Sequence, residues 1–243
     1  TRIGIINVLG IRQDAKAVNL LRSLMQSDNP PTVKAAASAL GKIGNKRAAS
    51  SLAKAIKNAK SEVKDDLLDA YLACADQFLE SGHISDAIRI YESIYNGGHS
   101  NALCGAALRG LIAAQPDKGL SLILASAEND HEKIQAVAFS SIPRLPADTD
   151  FKPLYQKMDS LSELGQVQVL AALAEREESS AHAAVINALE TGSESVRIQA
   201  IKSLQMLGKA SDALVLAKLA AQRQGQVSAA AGESTPGSVH RGD

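Results

Sequence analysis

Apolar residues recur along this chain at spacings of three and four, the mark of a helix with one buried face. Over residues 33–43 they fall at Val33, Ala36, Ala37, Leu40 and Ile43, and past Gly44 the series resumes at Ala48, Leu52, Ala55 and Ile56. A glycine between two such series predicts two helices joined by a tight turn, a helical hairpin. The unit then returns. An apolar residue near the end of one helix is answered twelve positions later by one in the next helix: Leu9 and Leu21, Leu40 and Leu52, Leu111 and Ile123, Ile142 and Leu154, Leu173 and Val185, Leu204 and Leu216. The leading residue steps by 31 from Leu9 to Leu40, and by 31 again from Leu111 to Ile142, Leu173 and Leu204. Leu40 and Leu111 stand 71 positions apart, two periods with nine residues left over. The hairpin at residues 61–97 is therefore predicted to be about two helical turns longer than its neighbours.

A fixed period of this length is the signature of a solenoid, in which each unit buries its apolar face against the next. Residues 1–222 are expected to form it. From about Gln222 onward the periodicity stops, and residues 223–243, with Gly, Ser, Thr and Pro and no apolar face, read as a flexible tail or linker. Punctuation along the chain supports the hairpins. Gly44 and Gly208 stand four residues past their leading Leu, where a helix end takes a left-handed residue. Asp14, Asn45, Ser85, Ser180 and Ser211 are candidate N-caps of the second helices. Pro30 and Pro31 read as lying between units, Pro116, Pro143 and Pro146 between paired helices, and Pro153 in a first turn, where a missing N–H does no harm.

The stretch Thr32-Val33-Lys34-Ala35-Ala36-Ala37-Ser38-Ala39-Leu40-Gly41-Lys42-Ile43-Gly44 resembles the signature of HEAT-like repeats of the phycobilin-lyase type, and Ser195-Val196-Arg197 through Leu207-Gly208 repeats it. The resemblance implies an all-α fold, a right-handed α-solenoid of about seven helical hairpins in an armadillo-type superhelix. Residues 164–176 followed by 181–189 are also similar to HEAT regions of large exported bacterial multidomain proteins. That likeness, with a chain opening on Thr1, implies a piece of a longer protein and a periplasmic or exported location, a cytoplasmic one remaining open. Within the long hairpin, Gly82-His83-Ile84-Ser85-Asp86-Ala87-Ile88-Arg89-Ile90-Tyr91-Glu92 resembles the second helix of a tetratricopeptide unit.

Composition agrees with close helix stacking. The chain is 45% apolar but only 3% aromatic, with no Trp, so Ala, Leu, Ile and Val build the core. Small side chains let helix backbones approach. Catalytic chemistry finds little to stand on. The histidines His83, His99, His131, His182 and His240 are scattered, and no two share the i, i+4 spacing that sets a pair of metal ligands on one helix face. Cys74 and Cys104 lie within helical patterns and read as buried thiols. Gly97-Gly98 is followed by no Lys-Ser/Thr and is not a phosphate loop. Asp65-Asp66 and Glu175 with Glu177-Glu178 read as solvated helix ends, and the closing Arg241-Gly242-Asp243 as a chance adhesion-like tripeptide. No catalytic residue, cofactor or metal is expected, and no run is long and apolar enough to span a membrane.

Charge distribution changes the picture. Residues 1–60 hold eleven Lys or Arg against two acids, a net of +9, whereas residues 61–190 hold nine against twenty, a net of −11. A solenoid with a basic end can steer an acidic partner. Lys46, Arg47, Lys54 and Lys57 share one second helix, and in HEAT arrays the second helices line the concave surface, so the resemblance directs these four toward a groove. The expected function is a non-catalytic protein–protein interaction or scaffolding module, binding a protein partner or neighbouring domains of its own chain. The rivals are an accessory lyase or isomerase resembling phycobilin lyases and a nucleic-acid binder using the basic segment. Scarce aromatics argue against both, since a chromophore pocket and a nucleic-acid platform each draw on them. The opening helix, with Ile3, Ile6, Val8 and Leu9, is expected to show an uncovered apolar face that self-associates or frays.

Overall fold

The structure, a computed structural model, describes residues 2–129 and 131–209 together with Asp212 and Ala217. The described residues form six helical hairpins and the opening helix of a seventh, with no strand among them. The hairpins are α1 (Arg2–Ile11) with α2 (Val18–Leu24), α3 (Pro30–Ile43) with α4 (Lys46–Lys57), and α5 (Ser61–Glu80) with α6 (Ile84–Tyr95). They continue as α7 (Asn101–Ala114) with α8 (Gly119–Ser126), α9 (Glu132–Phe139) with α10 (Lys152–Lys157), and α11 (Glu163–Glu175) with α12 (His182–Thr191), ending in α13 (Glu194–Leu207). First helices stack on first helices from α1 to α13, and α2, α4, α6, α8 and α12 each pack on the first helix of the next hairpin. This is an all-α HEAT-type solenoid.

The twelve-residue rule holds at the level of burial. Leu21, Leu40, Leu52, Ile123, Ile142, Leu154, Leu173 and Val185 are wholly buried, and Leu111 and Leu204 nearly so. Leu9 is only half-buried, and Leu216 lies outside the described residues. The nine extra residues of the third hairpin divide unequally. α5 has 20 residues where α3 has 14, the turn before α6 gains one, and the connection to α7 gains two. α7 then joins the two halves of the core, since Ala107 and Leu111 pack toward the preceding hairpins and Leu108 and Ile112 toward the following ones.

Alanine and glycine set the closeness of the stack. A β-carbon on Gly10 would lie 2.7 Å from the Cα of Ala39, and one on Gly41 would lie 2.7 Å from the carbonyl oxygen of Ala70. Both pairs are related by the 31-residue period, so α1 meets α3 as α3 meets α5, backbone against backbone. Small side chains at the crossing are what permit that distance.

Local chemistry explains the helix ends. Asp14 and Asn45 cap as expected, their side-chain oxygens accepting from the Lys16 and Ala48 N–H groups, each at 2.9 Å. Gly44 takes the left-handed conformation, φ 59°, and its N–H donates to the Leu40 carbonyl. Several expectations are corrected. Gly208 is extended, φ −68° and ψ 155°, because the chain leaves α13 without a left-handed turn. Ser85 falls inside α6, whose N-cap position is His83. Ser180 sits inside a 3-10 turn, where its own N–H donates to the Glu178 carboxylate that caps the turn. Ile6, read from the sequence as part of the uncovered face of α1, in fact belongs to the covered side, being 2% exposed. Pro30 and Pro31 open α3 and are not between units, since Asn29 caps them in by accepting from the Thr32 N–H at 3.1 Å. Glu178 is no solvated helix end either: its carboxylate holds Arg176 Nε at 3.2 Å. That guanidinium donates to the carbonyls of Leu145 and Pro146 and lies over the Phe151 ring at 5.0 Å, which staples the long connection between α9 and α10. Ser211, the segment 223–243 and Arg241-Gly242-Asp243 lie outside the described residues.

Candidate functional site

A helix beginning at Lys46 with about 100° between successive residues places Lys46, Arg47, Lys54 and Lys57 within one arc of about 100°, opposite Leu52. α4 is built that way throughout: Ala48, Ala49, Ser51 and Leu52 are buried, and the four cations are exposed. Along the axis, however, Lys46 and Lys57 are separated by about 16 Å at 1.5 Å per residue. The two ends of the arc meet different surroundings.

At its N-terminal end Lys46 Nζ lies 3.2 Å from Asp86 of α6, and Asp86 also receives Arg89. This pair ties the second hairpin to the third. Arg47 lines a neighbouring groove of about 650 Å³ with Gln13, Gln77 and His83. At the other end Lys54 faces a cleft of about 380 Å³ bounded by α2, α4 and the starts of α3 and α5. Arg22, from the last turn of α2, and Lys60, the N-cap position of α5, share that cleft. Its inner wall is apolar, from buried Met25, Val33, Val63 and Leu67. Lys57 is exposed one turn beyond, at the end of α4.

Among the described residues Arg22, Lys54 and Lys60 have no ion-pair partner. Asp28 and Glu62 line the same cleft without closing on them. By contrast Lys34, on the outside of α3, is paired with Asp66 at 2.9 Å, and that hydrogen bond raises its pKa above the ordinary lysine value. The sequence pattern singled out Lys46 and Arg47 and passed over Arg22 and Lys60. Only the phase of the repeat hinted otherwise, because Arg22 and Lys60 both close a hairpin and so return to the same edge of the stack.

Elsewhere the polar side chains serve structure. Cys74 is wholly buried, its Sγ lying 3.6 Å from the Leu40 carbonyl oxygen, and burial pushes its thiol up to about 12. Cys104 is buried among the carbonyls of Ile94, Tyr95 and His99. His182 Nε2 lies 2.8 Å from Asp212, whose carboxylate accepts from the Lys209 N–H. Tyr91 is buried with its hydroxyl donating to Asp76 at 2.6 Å, and its ring fills the space a side chain at Gly110 would need. Among the described residues no group of three His, Cys, Asp or Glu side chains gathers where a metal ion would sit. No helix among them is long and apolar enough to cross a membrane.

Stacked helical hairpins with a basic edge define the class: an α-solenoid of the HEAT-like repeat type. Residues 1–71, covering the first two hairpins and the first half of α5, match the family model for HEAT repeats. No curated protein matches the chain.

Proposed function

We propose that the protein is a non-catalytic interaction or scaffolding module whose basic N-terminal hairpins hold an acidic segment of a protein partner. The observation that carries this reading is the cleft where Arg22, Lys54 and Lys60 stand without ion-pair partners among the described residues, over an apolar wall. Cations that no described carboxylate engages are placed to take a partner's, and apolar surface beside them adds affinity that charge alone does not supply. Arg47 and Lys57 extend the surface along α4, whereas Lys46 is engaged by Asp86 and belongs to the scaffold more than to the binding face. The phycobilin-lyase-type and tetratricopeptide-like resemblances are both to stacked-hairpin architectures and leave this reading unchanged.

Fluorescence anisotropy tests it, with a labelled peptide alternating Glu and Leu, its Gln-for-Glu twin, and a short DNA duplex as probes. The acidic peptide is expected to bind, the twin to bind weakly, and the Arg22→Glu, Lys54→Glu, Lys60→Glu triple variant to lose the acidic peptide while retaining helicity. Reversal of Lys46 in its place is expected to leave peptide binding nearly intact. A duplex that binds more tightly than the peptide, with affinity falling at a logarithmic slope of about −0.9 per neutralised phosphate, would turn the reading to nucleic acid. Equal binding of peptide and twin would refute it.

A further inference from the structure

The groove of about 650 Å³ beside Arg47 runs across the turns of the first three hairpins. Gln13 comes to it from the turn after α1, Lys46 and Arg47 from the start of α4, Gln77 from the end of α5, and Ser81 and His83 from the turn before α6. It shares no lining residue with the cleft of Arg22, Lys54 and Lys60, and no carboxylate lines it. The two acids close by are already engaged. Asp86 takes both Lys46, at 3.2 Å, and Arg89, and Glu80 takes the Gln77 amide at 3.0 Å. One carboxylate shared by two cations leaves a positive surplus. Arg47, exposed and without an ion-pair partner among the described residues, adds a full charge to it.

The polar groups of the groove are held in place. Gln13 stands at φ 50°, the left-handed conformation that its counterpart one period on, Gly44, takes at 59°. A side chain is costly there, but this one spans from the first hairpin to the third, its Nε2 donating to Gln77 Oε1 at 3.0 Å. His83 is fixed twice, its ring edge-on to Phe78 with centroids 6.0 Å apart and its Nδ1 3.1 Å from Ser81 Oγ. The Ser81 hydroxyl spends its single proton on the Gln77 carbonyl at 2.6 Å, so Nδ1 carries the proton of the Ser81 contact. Nε2 is then the nitrogen without a partner among the described residues, and in the neutral ring it is an acceptor.

A guanidinium that gives N–H groups and an imidazole nitrogen that accepts ask for a ligand with anionic oxygens and a proton of its own. A phosphomonoester meets both demands, with about −1.5 to −2 charges, three acceptor oxygens and a second ionisation near pH 6. A carboxylate, ionised above about pH 4, brings no proton. Successive hairpins stack about 8–10 Å apart, so three turns span about 16–20 Å, the length of five or six extended residues.

We propose that this groove binds a phosphomonoester through Arg47 and His83, and that the ester is carried on an extended segment of a partner protein. Fluorescence anisotropy tests it with the full chain and a labelled glycine-alanine hexapeptide bearing one phosphoserine. The phosphopeptide is expected to bind, its serine twin not to bind, and its glutamate twin to bind at least about tenfold more weakly. Arg47→Gln and His83→Ala should each weaken the phosphopeptide by about tenfold or more, with helicity unchanged because both side chains are exposed. Lys42→Gln removes an exposed charge from the last turn of α3, outside the groove, and should change nothing. Glycerol phosphate is the competitor that separates the sources. Displacement only at concentrations well above that of unlabelled phosphopeptide supports the partner segment, whereas displacement at equal concentration overturns that half and gives the groove to a small phosphate ester. A phosphopeptide that fails to bind, that binds no better than its glutamate twin, or that is indifferent to both Arg47→Gln and His83→Ala overturns the site altogether. None of these outcomes bears on the cleft of Lys54, whose test uses other residues and another peptide.

Discussion

Replacing Gly41 by Ala tests whether the stack is as close as the structure has it. On an isolated helix the exchange is favourable by about 1 kcal/mol, because alanine loses less backbone entropy. Here the new methyl carbon would lie 2.7 Å from the Ala70 carbonyl oxygen, 3.1 Å from its Cα and 3.2 Å from the Ala73 Cβ. Two of those three atoms are backbone and cannot turn away, so α3 and α5 must part by several tenths of an ångström. The contact they share buries Ala37, Leu67, Ala70 and Cys74. A gap of half an ångström to one ångström forfeits a quarter to a half of each dispersion contact across it, and overpacked core substitutions cost about 1–3 kcal/mol. Subtracting the propensity gain leaves a net destabilisation of up to about 2 kcal/mol. The assay is urea denaturation followed by circular dichroism, with Ser38→Ala as control, because Ser38 is an exposed site on the same helix. Ser38→Ala should stabilise by a few tenths of a kcal/mol from propensity alone. A Gly41→Ala protein stabilised by the full ~1 kcal/mol that helix propensity alone supplies would refute the backbone-to-backbone stacking of α3 on α5.

Leu173→Ala is expected to destabilise by about 2–5 kcal/mol, the range for a wholly buried leucine, while Glu175→Ala, exposed two residues on, changes little in the same denaturation assay. The Cys74 thiol, pushed by burial from an ordinary 9.0 up to about 12, should resist thiol reagents at pH 8 in the folded protein and react on unfolding. Its linkage has a definite sign, since the folded state keeps the proton that the unfolded state gives up. The contribution to stability is fully present below about pH 9 and is lost as pH rises from there toward about 12, which Cys74→Ala should abolish in alkaline melting curves.

The sequence by itself determined the architecture, because a repeat states the same local information several times over. The 31-residue step from Leu9 to Leu40, and again from Leu111 to Leu204, marked positions that are buried in every case but Leu9, without any knowledge of distance. The nine surplus residues marked a long hairpin but could not be divided between α5 and its flanking connections, since the register of a helix end depends on what packs against it. Asp14, Asn45 and Gly44 were legible as caps because capping is local. Ser85 and Ser180 were misplaced because each element begins earlier: α6 has His83 at its N-cap position, and the 3-10 turn holding Ser180 is capped by the Glu178 carboxylate. The basic surface was legible as charge and illegible as a site. Four lysines and arginines on one helix look alike in sequence, yet Asp86 reaches Lys46 from the third hairpin, and Arg22 and Lys60 reach the cleft of Lys54 from the hairpins on either side. Which cations neutralise their own fold and which remain for a partner is decided by through-space distances of a few ångströms between residues far apart in the chain, and only the tertiary structure supplies those.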